Sequence, residues 1–325
     1  MANKLRVGLV GIGGMGGCHF SNYAEVNGAE IVAVCDVRKE LAKEKVNNKN
    51  IKVYSTLSKM LKSEQLDMID ICTPSYLHKD MAIKLLKAGY HVLCEKPMTL
   101  NAKDAKKVVE AAKTSNKKFM VAHVVRFMAP YMYLRNVIET GELGKLLRLD
   151  MKRISSIPTW SWEDWMRDEK RSGGVATDLS IHDIDFVQSI LGMPDKITSY
   201  KTGIKNNNDY VVSNLQYGDA LVTCEGTWYN APIGFKATYL AVFQNGYVEL
   251  SDKLYKNGKE VVIDQPKSKE ADLGINVGND NGYLTEIQYF VDCVNNNKEI
   301  EYVTPESSAK SIELVDLIKK KATRL

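Results

Sequence analysis

The sequence predicts an α/β fold, with a doubly wound parallel sheet at the N-terminus followed by a region of helices and antiparallel strands. Three observations predict this class. Short apolar runs alternate with amphipathic stretches up to about residue 122, which is typical of strand–helix units. Two of these runs, 31–35 and 68–72, are nearly continuous, as expected of strands buried on both faces. A glycine-rich segment, 11–16, follows the first strand directly.

The elements of the first region follow from this alternation. We predict six strands: Leu5–Val10, Glu30–Cys35, Lys52–Tyr54, Met68–Thr73, His91–Cys94 and Phe119–His123. We predict helices over residues 14–27, 38–47, 56–63, 76–88 and 101–115. Each helix therefore lies between two strands, which is the arrangement that joins parallel strands.

After residue 126 the pattern changes to that of a second region. Its predicted elements are a helix at 130–140, a strand at 145–155, a helix at 178–191, antiparallel strands between 196 and 263, and helices at 282–297 and 306–322. Asn257-Gly258 indicates a hairpin turn, and Thr304-Pro305 marks the start of the last helix. Because 325 residues exceed what one core usually holds, we predict two domains, 1–122 and 123–325. The C-terminal helix is free to pack back on the first.

The composition disfavours several classes of protein. The net charge is only +4 and the lysines are scattered, so neither nucleic acid nor a membrane is expected as a partner. No run approaches 18 apolar residues, and the first residues do not resemble an export signal. The six cysteines form no C-x-x-C pair, which argues against disulfides and a metal site. This pattern favours a reducing, cytoplasmic location.

A G-x-G-x-x-G motif, Gly11-Ile12-Gly13-Gly14-Met15-Gly16, ends the first strand and opens a helix. In dinucleotide-binding folds the first glycine permits a tight turn, the second lets the backbone approach the pyrophosphate, and the third packs helix against strand. The helix N-terminus presents N–H groups and partial positive charge to the phosphates. The motif alone is weak, because glycine clusters also form ordinary turns, but its position between strand and helix favours a dinucleotide site.

The residues after the second strand bear on the choice of cofactor. Asp36 lies 20 residues beyond Gly16, where a carboxylate can accept hydrogen bonds from the adenosine ribose and would repel a 2′-phosphate. NAD is therefore favoured over NADP. We place Asp36, Val37 and Arg38 at the ribose. Arg38 leaves NADP open, because an arginine can accommodate the phosphate.

Six short motifs, in order, resemble the glucose–fructose oxidoreductase / inositol dehydrogenase family over essentially the whole chain. They are Gly11-x-Gly13-x-x-Gly16-x-x-His19; Thr73-Pro74 with His78; Ala88-Gly89-Tyr90-His91-Val92-Leu93-Cys94-Glu95-Lys96-Pro97; Arg126-Phe127 with Pro130; Gly173-Gly174-x-x-x-Asp178-x-x-x-His182-Asp183-x-Asp185; and Tyr283 with Glu286 and Phe290. Ser172 and Ser180 depart from the family pattern, in which glycine is frequent at both places. These departures concern loop geometry more than chemistry.

The resemblance implies a Rossmann domain followed by an α+β domain with a large, open, mostly antiparallel sheet. It implies that one face of this sheet packs on another subunit, giving a homodimer or homotetramer. It also places further residues beside the cofactor: Thr73, Pro74, His78, Glu95 and Lys96. A cis peptide bond between Lys96 and Pro97 would fit this junction between strand and loop.

Oxidation of a secondary alcohol needs a hydride acceptor and a base whose pKa lies near the working pH. Histidine suits the second role, with an ordinary pKa of about 6.5. Asp178 and His182 are four residues apart on a predicted helix and so share one face. The resemblance assigns His182 as the acid/base and Asp178 as its partner, with Lys96 binding the reacting oxygen. The candidate substrate contacts are His123, Arg126, Trp165, Asp178 and His182.

The sequence thus predicts an NAD-dependent dehydrogenase that oxidises a ring hydroxyl of a polyhydroxylated substrate, namely a sugar, sugar derivative or cyclitol. Two alternatives stay open. One is a glycosidase that uses tightly held NAD transiently, which would release an aglycone without net NADH. The other is a non-catalytic NAD-binding regulator, against which Lys96, Asp178 and His182 count, because a sensor needs no acid/base pair.

Overall fold

The computed structural model describes residues 4–48, 50–204, 208–263 and 281–325. These residues form two compact units. The first comprises residues up to 123 together with 283–309, and the second comprises 124–282 together with 310–325. Among the described residues no helix is both long and apolar enough to cross a membrane.

The first unit contains a six-stranded parallel sheet. Its strands are β1 (Leu5–Val10), β2 (Ala29–Cys35), β3 (Lys52–Tyr54), β4 (Met68–Ile71), β5 (His91–Glu95) and β6 (Phe119–Ala122). They lie in the order β3-β2-β1-β4-β5-β6, and every pairing is parallel. The chain leaves β1 first in one direction and then in the other, which is the doubly wound topology. The predicted class of this sheet is confirmed.

The second unit contains a nine-stranded mixed sheet. Its strands are β7 (Leu146–Ser156), β8 (Lys196–Lys201), β9 (Asp209–Tyr217), β10 (Ala220–Tyr229), β11 (Lys236–Phe243), β12 (Gly246–Leu250), β13 (Leu254–Lys256), β14 (Lys259–Glu260) and β15 (Ala322–Arg324). They lie in the order β14-β13-β12-β11-β7-β10-β9-β8-β15. The β7–β10 and β8–β15 pairs are parallel and the other pairs antiparallel. The mostly antiparallel sheet is thus confirmed, although residues 205–207 of the predicted strand region lie outside the described residues.

Eleven α-helices are described: α1 (Gly14–Asn22), α2 (Lys39–Val46), α3 (Leu57–Ser63), α4 (His78–Lys87), α5 (Ala102–Thr114), α6 (Ala129–Thr140), α7 (Glu169–Ser172), α8 (Val175–Asp178), α9 (Ile181–Leu191), α10 (Gly282–Asn295) and α11 (Pro305–Lys321). Most lie within two residues of the predicted bounds. The first helix is an exception, because it ends at residue 22 instead of 27. Turn hydrogen bonds from Ala24 and Glu25 replace its last predicted turn, and Gly28, with φ 81°, then leads the chain into β2.

The single helix predicted at 178–191 is wrong. The Ser180 amide donates to the carbonyl of Val175, five residues back, and the His182 amide donates to Leu179, three residues back. This change of hydrogen-bond spacing separates α8 from α9, although Leu179 and Ser180 keep right-handed helical angles. Asp178 therefore ends one helix and His182 lies in the first turn of the next.

Two predicted local features are confirmed. Asn257 and Gly258 join β13 to β14 with positive φ values of 51° and 75°, as a two-residue hairpin turn requires. Pro305 opens α11, and the Thr304 hydroxyl accepts a hydrogen bond from the Ser307 amide at 3.0 Å. All six cysteines lie in the described part of the chain, where they are buried and form no disulfide.

The buried face of the nine-stranded sheet holds a polar anchor. Arg153 of β7 donates to an Asp183 carboxylate oxygen of α9 at 2.7 Å and to the Tyr131 hydroxyl at 3.0 Å. Tyr131 in turn packs edge-on against Phe186 and Tyr239, with ring centroids 5.1 and 5.4 Å apart. Because Arg153 and Asp183 are both buried, the attraction between them has to offset a large loss of hydration.

We predict that Arg153→Met lowers the free energy of unfolding by about 3–5 kcal/mol, because it leaves Asp183 as a buried, unpaired charge. Arg148→Met is the matched control. Arg148 lies on the same strand and pairs with Asp150, but its side chain is 53% exposed, so its loss should cost less than about 1 kcal/mol. Urea unfolding of the two variants compares them. Equal costs for the buried and exposed pairs would contradict the prediction.

Candidate active site

The glycine-rich loop between β1 and α1 is packed tightly at its two ends and open in the middle. A Cβ atom on Gly11, whose φ is 90°, would lie 2.4 Å from the carbonyl oxygen of Cys72. A Cβ atom on Gly16 would lie 1.9 Å from the Gly11 carbonyl oxygen. At Gly13 the nearest neighbour of such an atom is the Arg38 guanidinium, at 3.7 Å. Backbone packing therefore requires Gly11 and Gly16, whereas Gly13 leaves space beside the N-terminus of α1 where a ligand can approach.

Asp36 ties the end of β2 to this loop. One carboxylate oxygen accepts from the Ile12 amide at 3.0 Å and the other from the Arg38 amide at 2.8 Å. The Arg38 guanidinium donates to both oxygens, at 3.1 and 3.2 Å. Burial opposes ionisation of Asp36, but the hydrogen bonds from Arg38 and Ile12 outweigh it and lower the pKa of the carboxyl group. The loop therefore carries a fixed negative charge beside a cation, and the next residue, Val37, is 66% exposed.

Lys45 also contacts the glycine-rich loop, and sequence reasoning missed it. Its Nζ atom donates to the carbonyl oxygens of Ile12 and Gly13 at 3.1 and 3.2 Å. Lys45 belongs to the last turn of α2, where nothing in the sequence separates it from the other lysines of an amphipathic helix. The contact brings a second cation to the segment that faces open space at Gly13.

His19, in α1, lies at the centre of a buried polar cluster. Its Nδ1 atom is 2.8 Å from an Asp70 carboxylate oxygen, and its Nε2 atom is 3.1 Å from a Glu95 carboxylate oxygen. The Tyr23 hydroxyl donates to the same Asp70 oxygen at 3.1 Å. Burial alone would lower the pKa of His19, but the adjacent Asp70 carboxylate reverses that effect and raises the pKa well above its usual value. The ring is therefore an imidazolium held between two carboxylates.

Glu95 connects this cluster to Lys96. The second oxygen of Glu95 accepts from the Lys96 amide at 3.0 Å. Burial favours the neutral acid, but His19 and Lys96 outweigh it and lower the pKa of Glu95. The bond from Lys96 to Pro97 is cis. The ionised Glu95 thus fixes the backbone from which Lys96 leaves the carboxyl end of β5.

Glu286, on α10, completes the surroundings of His19. It is fully buried, and neither carboxyl oxygen has a hydrogen-bond partner among the described residues. Burial, with the charges of Glu95 and Asp70 nearby, raises the pKa of Glu286 well above its usual value, against the opposing effect of His19. Burial thus favours the neutral acid form of Glu286, and Asp70 and Glu95 are the two carboxyl groups that contact the His19 ring.

His19, Asp70 and Cys72 also place possible metal ligands within 4.8 Å of one another. Both ring nitrogens of His19 are, however, engaged by carboxylates. Burial also raises the pKa of the Cys72 thiol, although a metal binds the thiolate. The imidazolium already supplies the positive charge that the two carboxylates need, so this chemistry does not fit a metal ion.

His78, at the start of α4, links two loops of the first unit. Its ring nitrogens lie 2.8 Å from the carbonyl oxygens of Pro97 and Thr73. Burial lowers the pKa of His78 despite these two contacts, so the neutral ring donates to only one of the two carbonyls. Because one ring nitrogen donates to a main-chain carbonyl and the other lies beside a second carbonyl, His78 packs between the loop that begins at Thr73-Pro74 and the loop that follows Lys96.

In the second unit, Asp178 and His182 are both buried, at 5% and 4% exposure. The loop before them contains Gly173 and Gly174, which have positive φ values. Ser180, which departs from the family pattern, packs on β10, where a Cβ atom at Gly226 would lie 2.7 Å from the Ser180 Cβ. The absence of a side chain at Gly226 therefore provides the space that Ser180 needs.

The remaining predicted substrate contacts lie in different surroundings. Arg126 is buried and donates from two nitrogens to both oxygens of Asp185, at 2.7 and 2.8 Å. The Ser311 hydroxyl donates to the same carboxylate at 2.7 Å. This two-pronged ion pair anchors Arg126 inside the second unit. His123 is also buried, and Trp165 is half-buried. Their contact with substrate stays a prediction.

Comparison with known proteins assigns the family. A model described as "Oxidoreductase family, NAD-binding Rossmann fold" matches residues 5–123. A second, described as "Oxidoreductase family, C-terminal alpha/beta domain", matches residues 135–324. The fold and the nucleotide loop thus define an NAD-binding oxidoreductase class. The chain belongs to the glucose–fructose oxidoreductase / inositol dehydrogenase (Gfo/Idh/MocA) family, which confirms the resemblance of the six motifs.

Individual relatives show where this chain is similar to known enzymes. It is 28% identical over 191 residues to a myo-inositol 2-dehydrogenase of Thermotoga maritima, covering 58% of this chain and 55% of that protein. It is 31% identical over 194 residues to a 2,7-anhydro-N-acetylneuraminate hydratase of Escherichia coli, covering 55% and 50%. The matched region thus spans about half the length of these two relatives. The structure of a myo-inositol 2-dehydrogenase from Lactobacillus plantarum has the same fold, with a TM-score of 0.82 and 22% identity over 98% of this chain and 97% of that one.

We predict that Asp70→Asn lowers the free energy of unfolding most at low pH. The pKa of His19 is higher in the folded state than in the unfolded state, and this difference contributes to the free energy of unfolding. The contribution is complete below about pH 6.5, the unfolded value, and it is lost as pH rises through the folded pKa. Asp70→Asn lowers the folded pKa of His19. The difference between wild type and variant should therefore shrink by about 1.4 kcal/mol per pH unit between the His19 pKa values of the two proteins.

Urea unfolding of both proteins at a series of pH values, starting about one unit below the ordinary histidine pKa of about 6.5 and rising from there, measures this difference. Asp80→Asn is the control, because the Asp80 side chain is 81% exposed and does not contact His19. A difference that is independent of pH, or that grows as pH rises, would contradict a charged His19.

Proposed function

We propose that this protein is an NAD-dependent dehydrogenase that oxidises a ring hydroxyl of a sugar, sugar derivative or cyclitol. One observation carries the proposal. The cofactor loop after β1 and the Glu95–Lys96 junction after β5 lie at the carboxyl ends of parallel strands of one sheet, the edge at which ligands bind in such folds. A nucleotide site and a lysine suited to holding a substrate oxygen thus share one edge.

The residues can carry the chemistry in three roles. Bound NAD would accept the hydride from the carbon that carries the hydroxyl. Lys96 binds that oxygen and stabilises negative charge developing on it, while His182 takes its proton. Asp178 orients the imidazole. In this proposal residues 1–122 bind the cofactor and 123–325 supply the substrate site, with His123, Arg126 and Trp165 as further contacts.

The expected outcome is NADH production with at least one member of a panel of sugars and cyclitols. Lys96→Ala and His182→Ala should each lower kcat/KM by about 10²-fold or more, because general acid/base and oxyanion groups each contribute on that scale. Lys87→Ala is the control, since Lys87 is an exposed lysine at the end of α4. Near-wild-type rates for both site variants would contradict the assigned roles.

A second function, that of a glycosidase that uses tightly held NAD transiently, is supported by one comparison, the similarity to a protein named a hydratase. In this function NAD would oxidise the sugar and then return the hydride, so that no net NADH accumulates. The same panel separates the two functions, since product forming without a rise in NADH absorbance supports the second. Neither net NADH nor any product, despite NAD binding, supports the third possibility, a non-catalytic regulator.

We infer that NAD is preferred to NADP, because the Asp36 carboxylate, which accepts from the Ile12 amide of the glycine-rich loop, would repel a 2′-phosphate. Asp36→Ser should weaken NADH binding by roughly 10-fold, the scale of a hydrogen bond to a charged group. It should also strengthen NADPH binding, since Arg38 is released from its ion pair. Adding Arg38→Gln should remove that gain. Fluorescence titration of wild type and both variants measures all six affinities, and an unchanged NADH-to-NADPH ratio in Asp36→Ser would contradict the inference.

Two further expectations are part of the proposal. We infer self-association to a homodimer or homotetramer through the nine-stranded sheet. Leu221 and Leu240, on the strands that flank β7, remain 37% and 36% exposed on its outward face. We also infer a cytoplasmic location, because six buried cysteines that form no disulfide are typical of a reducing compartment.

A further inference from the structure

The turn that leads to Asp178 is closely packed. Gly173 and Gly174 have φ values of 82° and 73°. A Cβ atom on Gly173 would lie 2.5 Å from the Thr177 Cβ, and one on Gly174 would lie 2.8 Å from an Asp209 carboxylate oxygen. The turn is therefore packed directly against Thr177 and Asp209, and it leads into α8, the helix that ends at Asp178.

Lys319, on α11, reaches this turn from 146 residues further along the chain. Its Nζ atom donates to the Gly173 carbonyl at 3.1 Å and to the Thr177 hydroxyl at 3.2 Å. Thr177 itself donates to the Gly173 carbonyl at 3.1 Å. The helix is anchored at the preceding residue, because the Ser199 hydroxyl of β8 donates to the Ile318 carbonyl at 2.7 Å. The helix that carries the ammonium group is thus itself hydrogen-bonded to the nine-stranded sheet.

Asp209, on β9, holds the other side of the turn. Its carboxylate accepts from the Val175 amide, the first residue of α8, at 2.8 Å. Asp209 and Lys319 line one small cavity in the second unit together with Glu169 and Lys201. The turn is therefore fixed by a cation on its carbonyl side and by a carboxyl group on its amide side.

We propose that Lys319 is a positioning residue for the reaction: its ammonium group holds the 173–177 turn and thereby sets the orientation of Asp178 and His182. This inference rests on the proposed function. Lys319 touches neither substrate nor cofactor in this account, and it acts through Thr177, the residue next to Asp178. A small displacement of an acid/base group is costly, because proton transfer requires hydrogen-bond distance in the reacting complex.

The charges around Lys319 make its hydrogen bonds to the 173–177 turn dependent on pH. Burial lowers the pKa of Lys319 and Lys201 adds to this, while Glu169, Asp316 and Asp209 oppose it. Lys319 therefore loses its proton at a lower pH than an exposed lysine does, and its hydrogen bonds to the turn weaken as pH rises. The lowered pKa of Lys319 has the opposite effect on stability. The free energy of unfolding rises as pH increases from the folded pKa towards the higher unfolded pKa. Activity and stability should thus diverge at alkaline pH.

The test compares Lys319→Met, which removes the ammonium, with Lys319→Arg, which keeps a charge that does not titrate. Lys320→Met is the matched control, because Lys320 is the exposed neighbour on the same helix. Lys319→Met should lower kcat by roughly 10- to 100-fold, with the KM for NAD unchanged. Lys319→Arg should restore most of the rate and extend activity to higher pH. Lys320→Met should behave as wild type.

Amide hydrogen exchange of the peptide covering residues 173–182 supplies a readout independent of activity. Exchange there should be faster in Lys319→Met than in wild type or Lys320→Met. Thr177→Val combined with Lys319→Met should speed exchange at residues 173–182 by less than the two single changes together would predict, because both remove the same contact.

Two results would overturn the inference: wild-type exchange at 173–182 in Lys319→Met, or a lowered Tm with kcat and its pH profile unchanged. A wild-type protein with no turnover would instead overturn the proposed function. In that case the exchange measurement alone decides whether Lys319 holds the turn.

Discussion

The first unit depends on one buried ionic arrangement, the His19 imidazolium between Asp70 and Glu95. Its three side chains come from α1, β4 and β5, so one charged ring joins the helix that begins at the glycine-rich loop to the strand that ends just before Lys96. Such a group is costly to bury and is tolerated only when fully paired. The same pairing penalises any movement of α1 relative to β5. The pairing therefore fixes the position of the cofactor loop relative to Lys96 before any ligand binds.

Much of the first unit could be predicted, because its signals are local. Continuous apolar runs identify β2 and β4, and the spacing of Gly11 and Gly16 identifies the turn that their packing requires. The polar cluster around His19 was harder to predict from the sequence. Asp70 interrupts an apolar strand, which was a usable signal, but the partners of His19 could not be read from spacing. Glu286 belongs to one of the six motifs, but nothing in the sequence shows that its carboxyl group is buried without a hydrogen-bond partner among the described residues.

The second unit was harder to predict for a physical reason. Its sheet pairs β7 with β10 and closes with β15 beside β8, so its contacts join segments far apart in sequence. The break between α8 and α9 leaves helical angles unchanged and alters only hydrogen-bond spacing, which no residue pattern reports. Lys319 lies in a lysine-rich helix end like many others, and only the fold brings it to Gly173. The residue types of the acid/base pair were evident, but the groups that hold them were not.

A charged His19 fixes the helix of the cofactor loop to β5, the strand that ends just before Lys96. NMR titration of protein labelled with ¹⁵N in its histidine side chains tests this role most directly, with the His19 signals assigned from a His19→Gln variant. Both ring nitrogens of His19 should stay protonated well above pH 6.5, the ordinary pKa of the side chain. A His19 ring that loses its proton at or below pH 6.5 would contradict it.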